Sequence, residues 1–498
     1  MLKKFLETCE RAPDRIFLTD DVRGTRRTFT REQLLALAVS FADSFRDRGV
    51  GRGDRVLVTV RNSVEWVAID LAAQLLGALP LALAPGAATH QKRSFVELLT
   101  PSVIVAEESD PLLLETGSPA AVLVRELIAE HAVDRPIDLS RFPIEHDDNA
   151  VLYLASTSGT TGGYKACAIR YRNARYACEI FTKKIPLGER DRNLIFLPLA
   201  QTRVNDLYFF LECAGTIGFA NPYRDLVHQL VQYRPTFVAS PPVFFQDIAT
   251  VHADLLGSMS LAELLGGASK LYTGTTPVAP SLLAYYRAHG LPLYEGYGMT
   301  ECCSLATFNF PSGFREGTVG LPHDGVDVKT ADDGEILVRG ESVFAGYWGN
   351  EGATADTLVD GWLRTGDVGD LDDDGFLVLR GRKKDSICLK TGKKLFPKEL
   401  EGLLSSAPNC QQIAFVGNTL ERAVAVVHLR PNTAANRTAF LDELRRHVAR
   451  LPFDERINDV VFLDAPLDVE KGEMTATGKP VRKRIEQNYW ARILEVTQ

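Results

Sequence analysis

Residues Ser156 to Lys165 read STSGTTGGYK: three glycines, five Ser/Thr hydroxyls and one lysine behind the apolar run Val151-Leu152-Tyr153-Leu154. Glycines let backbone N–H groups turn toward an anion and approach it closely. Hydroxyls donate further hydrogen bonds, and the ammonium supplies charge. A strand running into such a loop is suited to surround phosphate, although a flexible polar linker has the same composition. The loop is not the P-loop of common NTPases, which needs Gly, four residues, then Gly-Lys-Ser/Thr. Lys165 is correctly spaced from Gly159, but Tyr164 stands where the second glycine belongs and Ala166 where the metal-binding hydroxyl belongs.

Four more segments carry complementary chemistry. Tyr294 to Glu301 (YEGYGMTE) offers an aromatic face for a purine at Tyr297, a hydroxyl for phosphate at Thr300 and a hard oxygen ligand for Mg²⁺ at Glu301. Gly361 to Asp367 (GWLRTGD) ends in a carboxylate suited to ribose hydroxyls, and Gly381 to Asp385 (GRKKD) is strongly basic. Thr475 to Lys479 (TATGK) places a lysine on a glycine-containing loop, where it can neutralise charge at a reacting phosphate. Taken singly, each reads equally as a turn, a hairpin or a solvated charged run. Their joint occurrence, in this order, is the signal.

The elements that must hold these residues follow from pattern. At 498 residues the chain exceeds one compact core, and 45% hydrophobic with 24% charged residues describes an ordinary globular protein. A net charge of −8 argues against a dedicated nucleic-acid binder. Eight scattered cysteines without Cys-x-x-Cys suggest neither zinc nor a disulfide framework, and reduced thiols in a cytosolic protein are the expectation. No secretory signal opens the chain, and the apolar stretch Trp66 to Ala88 carries Asp70, Gln74, Gly77 and Pro80, which reads as helix then strand rather than a membrane span. Asp370-x-Asp372-x-Asp374-Gly375 begins like a calcium loop but has Gly381 where a bidentate Glu is required, so a hairpin turn is expected.

Thr30 can cap a helix, Arg55 to Val60 reads as a strand, Val64 to Leu76 as a helix and Leu79 to Leu83 as a strand. This βαβ rhythm predicts an α/β fold with parallel sheets covered by helices. Short strands are expected at 237–239, 270–272 and 293–294, and antiparallel strands at 335–339 and 375–379. Beyond Gly381 a separate α+β pattern begins: helix 397–404, strands 412–416 and 423–429, helix 438–451, strand 459–462. The expected organisation is a large N-terminal domain of sheets and helices over 1–381, a hinge at 382–386 and a small mobile α+β lid over 387–498.

The five segments resemble the signature motifs of the adenylate-forming superfamily, which includes acyl-CoA synthetases, adenylation domains of peptide synthetases and luciferases. The resemblance covers nearly the whole chain, from the Arg11 region to Lys479. It implies activation of a carboxylic acid by MgATP to acyl-AMP and pyrophosphate. A thiol, coenzyme A or the phosphopantetheine of a separate carrier protein, then displaces AMP. It assigns the β- and γ-phosphates to Thr157, Ser158, Gly159, Thr160, Thr161 and Lys165, adenine to Tyr297, the α-phosphate to Thr300, Mg²⁺ to Glu301 and the ribose to Asp367 and Arg382. Lys384 matches the hinge position, Lys479 bridges carboxylate and α-phosphate, and Gly392 lies on the loop that turns inward for the thioester step. An acyl pocket is expected around Gln201, Asp206, Phe244, Tyr272, Gly274 and Gly296.

Three departures from the family pattern matter. Tyr164 replaces a loop proline and Ala166 a loop glycine, which leaves the lysine less pre-set, and Gln201 replaces a common histidine. The helix 202–213 carries Arg203, Asn205, Asp206 and Glu212, so either these side chains face away from the pocket or the acid has polar groups. The rival of another class is a nucleotide-binding interaction protein without catalysis. The co-occurrence of Glu301, Asp367 and Lys479 argues against it.

Overall fold

The computed structural model describes the chain apart from residues 21–25, 108–109, 111–120, 131–136, 145–146, 159–163, 222–224, 256–257, 277, 392–393, 406, 419, 450–456, 458, 475–479 and 498. Two compact units result. The first comprises Met1–Lys329, Leu337–Thr365 and Leu371–Leu377; the second comprises Thr330–Ile336, Gly366–Asp370 and Val378–Gln498. The chain therefore passes between the units more than once, where the sequence suggests a single cut near Arg382.

The first unit is built on two mostly parallel sheets. One, of six strands among the described residues, runs in the order Ala121–Leu123, Val103–Ala106, Arg55–Thr59, Leu79–Ala82, Val151–Ser158, Tyr164–Arg170. The other, of nine, centres on the parallel strands Leu293–Tyr297, Lys270–Thr273, Phe237–Ser240, Arg192–Ile195, Thr216–Phe219 and Ile16–Asp20. Parallel strands need crossovers, and amphipathic helices supply them. The helix Arg31–Asp47 starts in a capping box in which Thr30 and Gln33 satisfy each other's backbone N–H groups. The helix Val64–Leu76 has all thirteen residues buried and stops at Gly77, whose φ of 67° suits a residue without Cβ. Among the described residues, no helix is long and apolar enough to cross a membrane.

Burying Val64–Leu76 all round takes Asp70 into the interior, and a charge there must be paired. Arg203 answers it: its Nη1 lies 3.3 Å from Asp70 Oδ1, with both side chains almost fully buried. The guanidinium also sits over the rings of Trp66, at 4.9 Å, and Tyr153, at 4.5 Å. Tyr208 Oη and Gln74 Nε2 donate to Asp70 Oδ2 at 3.0 and 2.9 Å. The expected helix 202–213 is present as Leu199–Thr202 and Phe209–Cys213 joined by a wide π turn, Arg203–Tyr208. A π turn shifts the side-chain register by one residue, and this one aims both Arg203 and Tyr208 at Asp70.

The second unit has a three-stranded sheet. Cys410–Val416 pairs antiparallel with Val424–Leu429, which pairs parallel with Asp459–Leu463. All six residues of the central strand are buried, between helices Lys398–Ser405 and Ala434–Val448 and a terminal helix, Arg482–Thr497, that the sequence reading leaves unassigned. Arg482, which opens the terminal helix, forms a bidentate pair with Glu401, whose Oε1 also accepts the Phe415 N–H at 2.7 Å.

Asp70→Ala leaves the buried Arg203 guanidinium without its counter-ion. We expect a loss of about 3–5 kcal/mol in unfolding free energy, measured by denaturant titration of the variant against wild type.

Candidate active site

The ends of the Gly/Ser/Thr segment are strand rather than loop. Val151–Ser158 and Tyr164–Arg170 form an antiparallel hairpin in which Ser156 pairs with Ala166, Thr157 with Lys165 and Ser158 with Tyr164. Ser156 and Lys165, read as loop, are therefore strand. Gly159, Thr160 and Thr161 lie outside the described residues, as do Gly392 and Lys479. Burial, with Glu301 nearby, holds the Cys167 thiol well above the ordinary cysteine range.

Residue alternation along Tyr164–Arg170 sends Tyr164 and Lys165 to opposite faces. Tyr164 Oη and His90 Nε2 lie 2.9 Å apart, and the tyrosine ring packs 5.8 Å from Phe95, both partners coming from helix Thr89–Leu99. Lys165 Nζ lies 4.6 Å from the centroid of the Tyr347 ring. Tyr347 belongs to an extended segment hydrogen-bonded along the free edge of the hairpin: Ala345 N to Ala168 O at 2.9 Å, Ala168 N to Gly346 O at 2.9 Å, Trp348 N to Ala166 O at 2.8 Å. The Tyr347 hydroxyl donates to Glu301 Oε1 at 2.7 Å, and Phe344 N donates to Glu301 O at 2.9 Å. Burial, reinforced by Glu301, pushes the Tyr347 phenol up, so it stays protonated. Two of the sequence-predicted residues, Lys165 and Glu301, are thus joined through a third that sequence reasoning missed. No local sequence pattern marks it; in the structure Gly346 before it, with a φ of 132°, approaches Thr354 too closely to leave room for a Cβ.

Tyr297 ends the strand Leu293–Tyr297 and is buried, and Thr300 and Glu301 follow on a 3₁₀ turn, Thr300–Cys302. Glu301 is 6% exposed. An anionic oxygen so placed, with Oε1 held by a phenol and Oε2 outside that bond, fits a hard divalent cation. Within the second unit Arg382 Nε lies 2.7 Å from Asp367 Oδ1, and Lys383 Nζ lies 2.9 Å from Glu335 Oε2. The basic run is thus anchored by carboxylates up to Lys383, while Lys384 is exposed on the short turn Lys383–Asp385.

The six acyl-pocket residues occupy different surroundings. Tyr272 stacks with Phe237 and Tyr294, at 5.5 and 5.7 Å between ring centroids. Phe244 belongs instead to the apolar cluster containing Val238, Leu271 and Leu293, the neighbours that alternate with that aromatic row. A Cβ on Gly296 would lie 2.1 Å from the Phe308 ring, and one on Gly274 would lie 2.9 Å from Gly296 O, so both positions are small because their neighbours are close. Gln201 is exposed. Asp206 is buried and accepts from Asn193 Nδ2 at 3.0 Å, with burial pushing its carboxyl up to about 6. Glu295, beside Thr273 on the neighbouring strand, is pushed by burial up to about 7.

A family model described as AMP-binding enzyme matches residues 5–348. The chain belongs to the AMP-binding enzyme family. A long-chain-fatty-acid–CoA ligase, FadD15, of Mycobacterium bovis is 31% identical over 447 residues, 77% of this chain and 74% of that protein. An indoleacetate–CoA ligase of Aromatoleum aromaticum is 29% identical over 474 residues, 89% and 91% of the two chains. Among solved structures, the O-succinylbenzoate coenzyme A synthetase of Bacillus subtilis in complex with AMP superposes with a TM-score of 0.81 at 23% identity, covering 97% of this chain and 98% of that one. The fold is that of this adenylate-forming family, with a large N-terminal and a small C-terminal domain, and the protein is an AMP-forming acid–thiol ligase.

The buried carboxyls of this AMP-binding enzyme make its stability pH-dependent. Folded Glu295 keeps its proton to about pH 7, whereas the unperturbed group releases it at 4.5. The folded state therefore binds more protons between these values, and stability present at low pH is lost as pH rises through them. Glu295→Gln is expected to lose less melting temperature than wild type between about pH 5 and about pH 8, followed by scanning calorimetry. An unchanged difference would sink the assignment.

Proposed function

We propose that this ligase activates a predominantly apolar carboxylic acid with MgATP and transfers the acyl group to coenzyme A. The observation that carries the ATP assignment is the joining of Lys165 and Glu301 through one tyrosine, the ammonium on its ring face and the carboxylate on its hydroxyl. In this reading Thr157, Ser158, Gly159, Thr160, Thr161 and Lys165 hold the β- and γ-phosphates. Tyr297 stacks on adenine, Thr300 contacts the α-phosphate, and Asp367 and Arg382 hold the ribose. Glu301 would hold Mg²⁺, which neutralises phosphate charge when bound.

The acid's carboxylate oxygen attacks the α-phosphorus, the bond to the β-phosphate oxygen breaks, and pyrophosphate leaves. Lys479 offsets the repulsion between the two anions. In the second step the thiol sulfur attacks the acyl carbonyl carbon, its proton goes to solvent, and the bond to AMP breaks. Turning of the small domain at Lys384 separates the steps.

The apolar character of the acid is supported by the side chains that first suggested otherwise. Arg203 is engaged by Asp70, and Asp206 by Asn193, both inside the core, so neither offers charge to a substrate. The long-chain-fatty-acid and indoleacetate ligases among the relatives act on acids of this kind. Free thiols at all eight cysteines suit the reducing cytoplasm as the setting.

Pyrophosphate release across aliphatic, aromatic and dicarboxylic acids is expected to be fastest with apolar members, and a preference for dicarboxylates would overturn that part of the reading. Thioester formation with free coenzyme A, compared with isolated carrier proteins, decides the acceptor. Lys479→Ala should abolish acid-dependent adenylation yet spare thioester formation from supplied acyl-AMP; equal loss of both steps contradicts its role.

A further inference from the structure

We propose that Tyr347 is a positioning residue that seats Lys165 on the face of its ring and Glu301 on its hydroxyl, fixing the spacing between the two. The proposal rests on the ATP-site reading above and explains how this chain manages without the usual loop proline. Proline would restrict the backbone directly before the lysine. Tyr164 holds that place here without a ring closed onto the backbone, so strand pairing fixes the lysine's backbone and tertiary contacts must set its side chain.

The contacts are two-sided. On one face Tyr164 is anchored to helix Thr89–Leu99 through His90 and Phe95. On the other the ammonium meets the Tyr347 ring at 4.6 Å, within cation–π range. Tyr347 is itself well fixed. Its backbone forms an antiparallel bridge with Cys167, its N–H donates to Thr354 Oγ1 at 2.9 Å, and the residue before it, Gly346, approaches Thr354 too closely for any side chain. A ring on such a backbone has little freedom, and its face and hydroxyl point at different partners. An ammonium on a π face meets no counter-ion there, unlike one paired to a carboxylate. A carboxylate with one oxygen bonded to a neutral phenol keeps its charge, with the other oxygen outside that bond.

The test is calorimetric titration with MgATP, and separately with AMP, in the absence of acid. Tyr347→Phe keeps the ring and removes the hydroxyl. It should weaken MgATP binding about three- to tenfold, raise the Mg²⁺ concentration needed for half-saturation, and leave AMP affinity within about twofold. Tyr347→Leu should weaken MgATP further, and that additional loss should vanish when Lys165→Met is already present. A residue that only packs would show the same added loss in both backgrounds, or would weaken AMP as much as MgATP; either result overturns the proposal. Should Tyr347→Leu fail to fold, Tyr347→Phe decides alone through the Mg²⁺ dependence. A wild-type protein that binds no MgATP would instead overturn the ATP-site reading itself.

Discussion

A site for triphosphate chemistry needs a cation and a carboxylate close together, and the two attract each other. Left to side-chain freedom they would form a salt bridge and present a neutral pair. In this protein an aromatic ring stands between them. Tyr347 touches Lys165 through its π face and Glu301 through its hydroxyl. Much of the first unit's local structure serves this arrangement. The hairpin Val151–Arg170 carries the lysine, the segment around Tyr347 zips along its edge, and the turn at Thr300–Cys302 is tied to that segment through the Phe344 N–H.

A second constraint lies deeper. An all-round buried helix, Val64–Leu76, carries an aspartate into the interior, and the fold compensates with an arginine sandwiched between Trp66 and Tyr153. The π turn at Arg203–Tyr208 delivers both Arg203 and Tyr208 to Asp70. Breaking such a network costs several kcal/mol because whichever group is left is buried and uncompensated. Arg203 and Asp206, which make their segment look polar in sequence, are engaged inside the core by Asp70 and Asn193.

The second unit follows the same logic on a smaller scale. Its basic runs are not simply solvated. Arg382 meets Asp367, Lys383 meets Glu335, and Arg482 meets Glu401. These pairs leave Lys384 exposed on its turn. In the first unit, the run that begins like a calcium loop is a turn, with Asp372 accepting from the Phe376 N–H and Arg315 pairing with Asp372 and Asp374.

Sequence by itself determined the family, the α/β class and the chemistry, because these rest on residue types at fixed local spacing. The Gly/Ser/Thr loop, YGMTE and the helix Val64–Leu76 are written in contiguous residues whose meaning survives without neighbours. The same holds for Thr30 as a cap and for Gly77 as a stop, where the cause is local backbone geometry. Only the tertiary structure decided which charges face each other. Asp70 and Arg203 are 133 positions apart, and nothing in either segment announces the other. Tyr347 went unread for the same reason: a tyrosine in the extended Gly-Tyr-Trp segment has no local signature for a distant lysine and glutamate, and it meets both only because that segment pairs along the hairpin's edge.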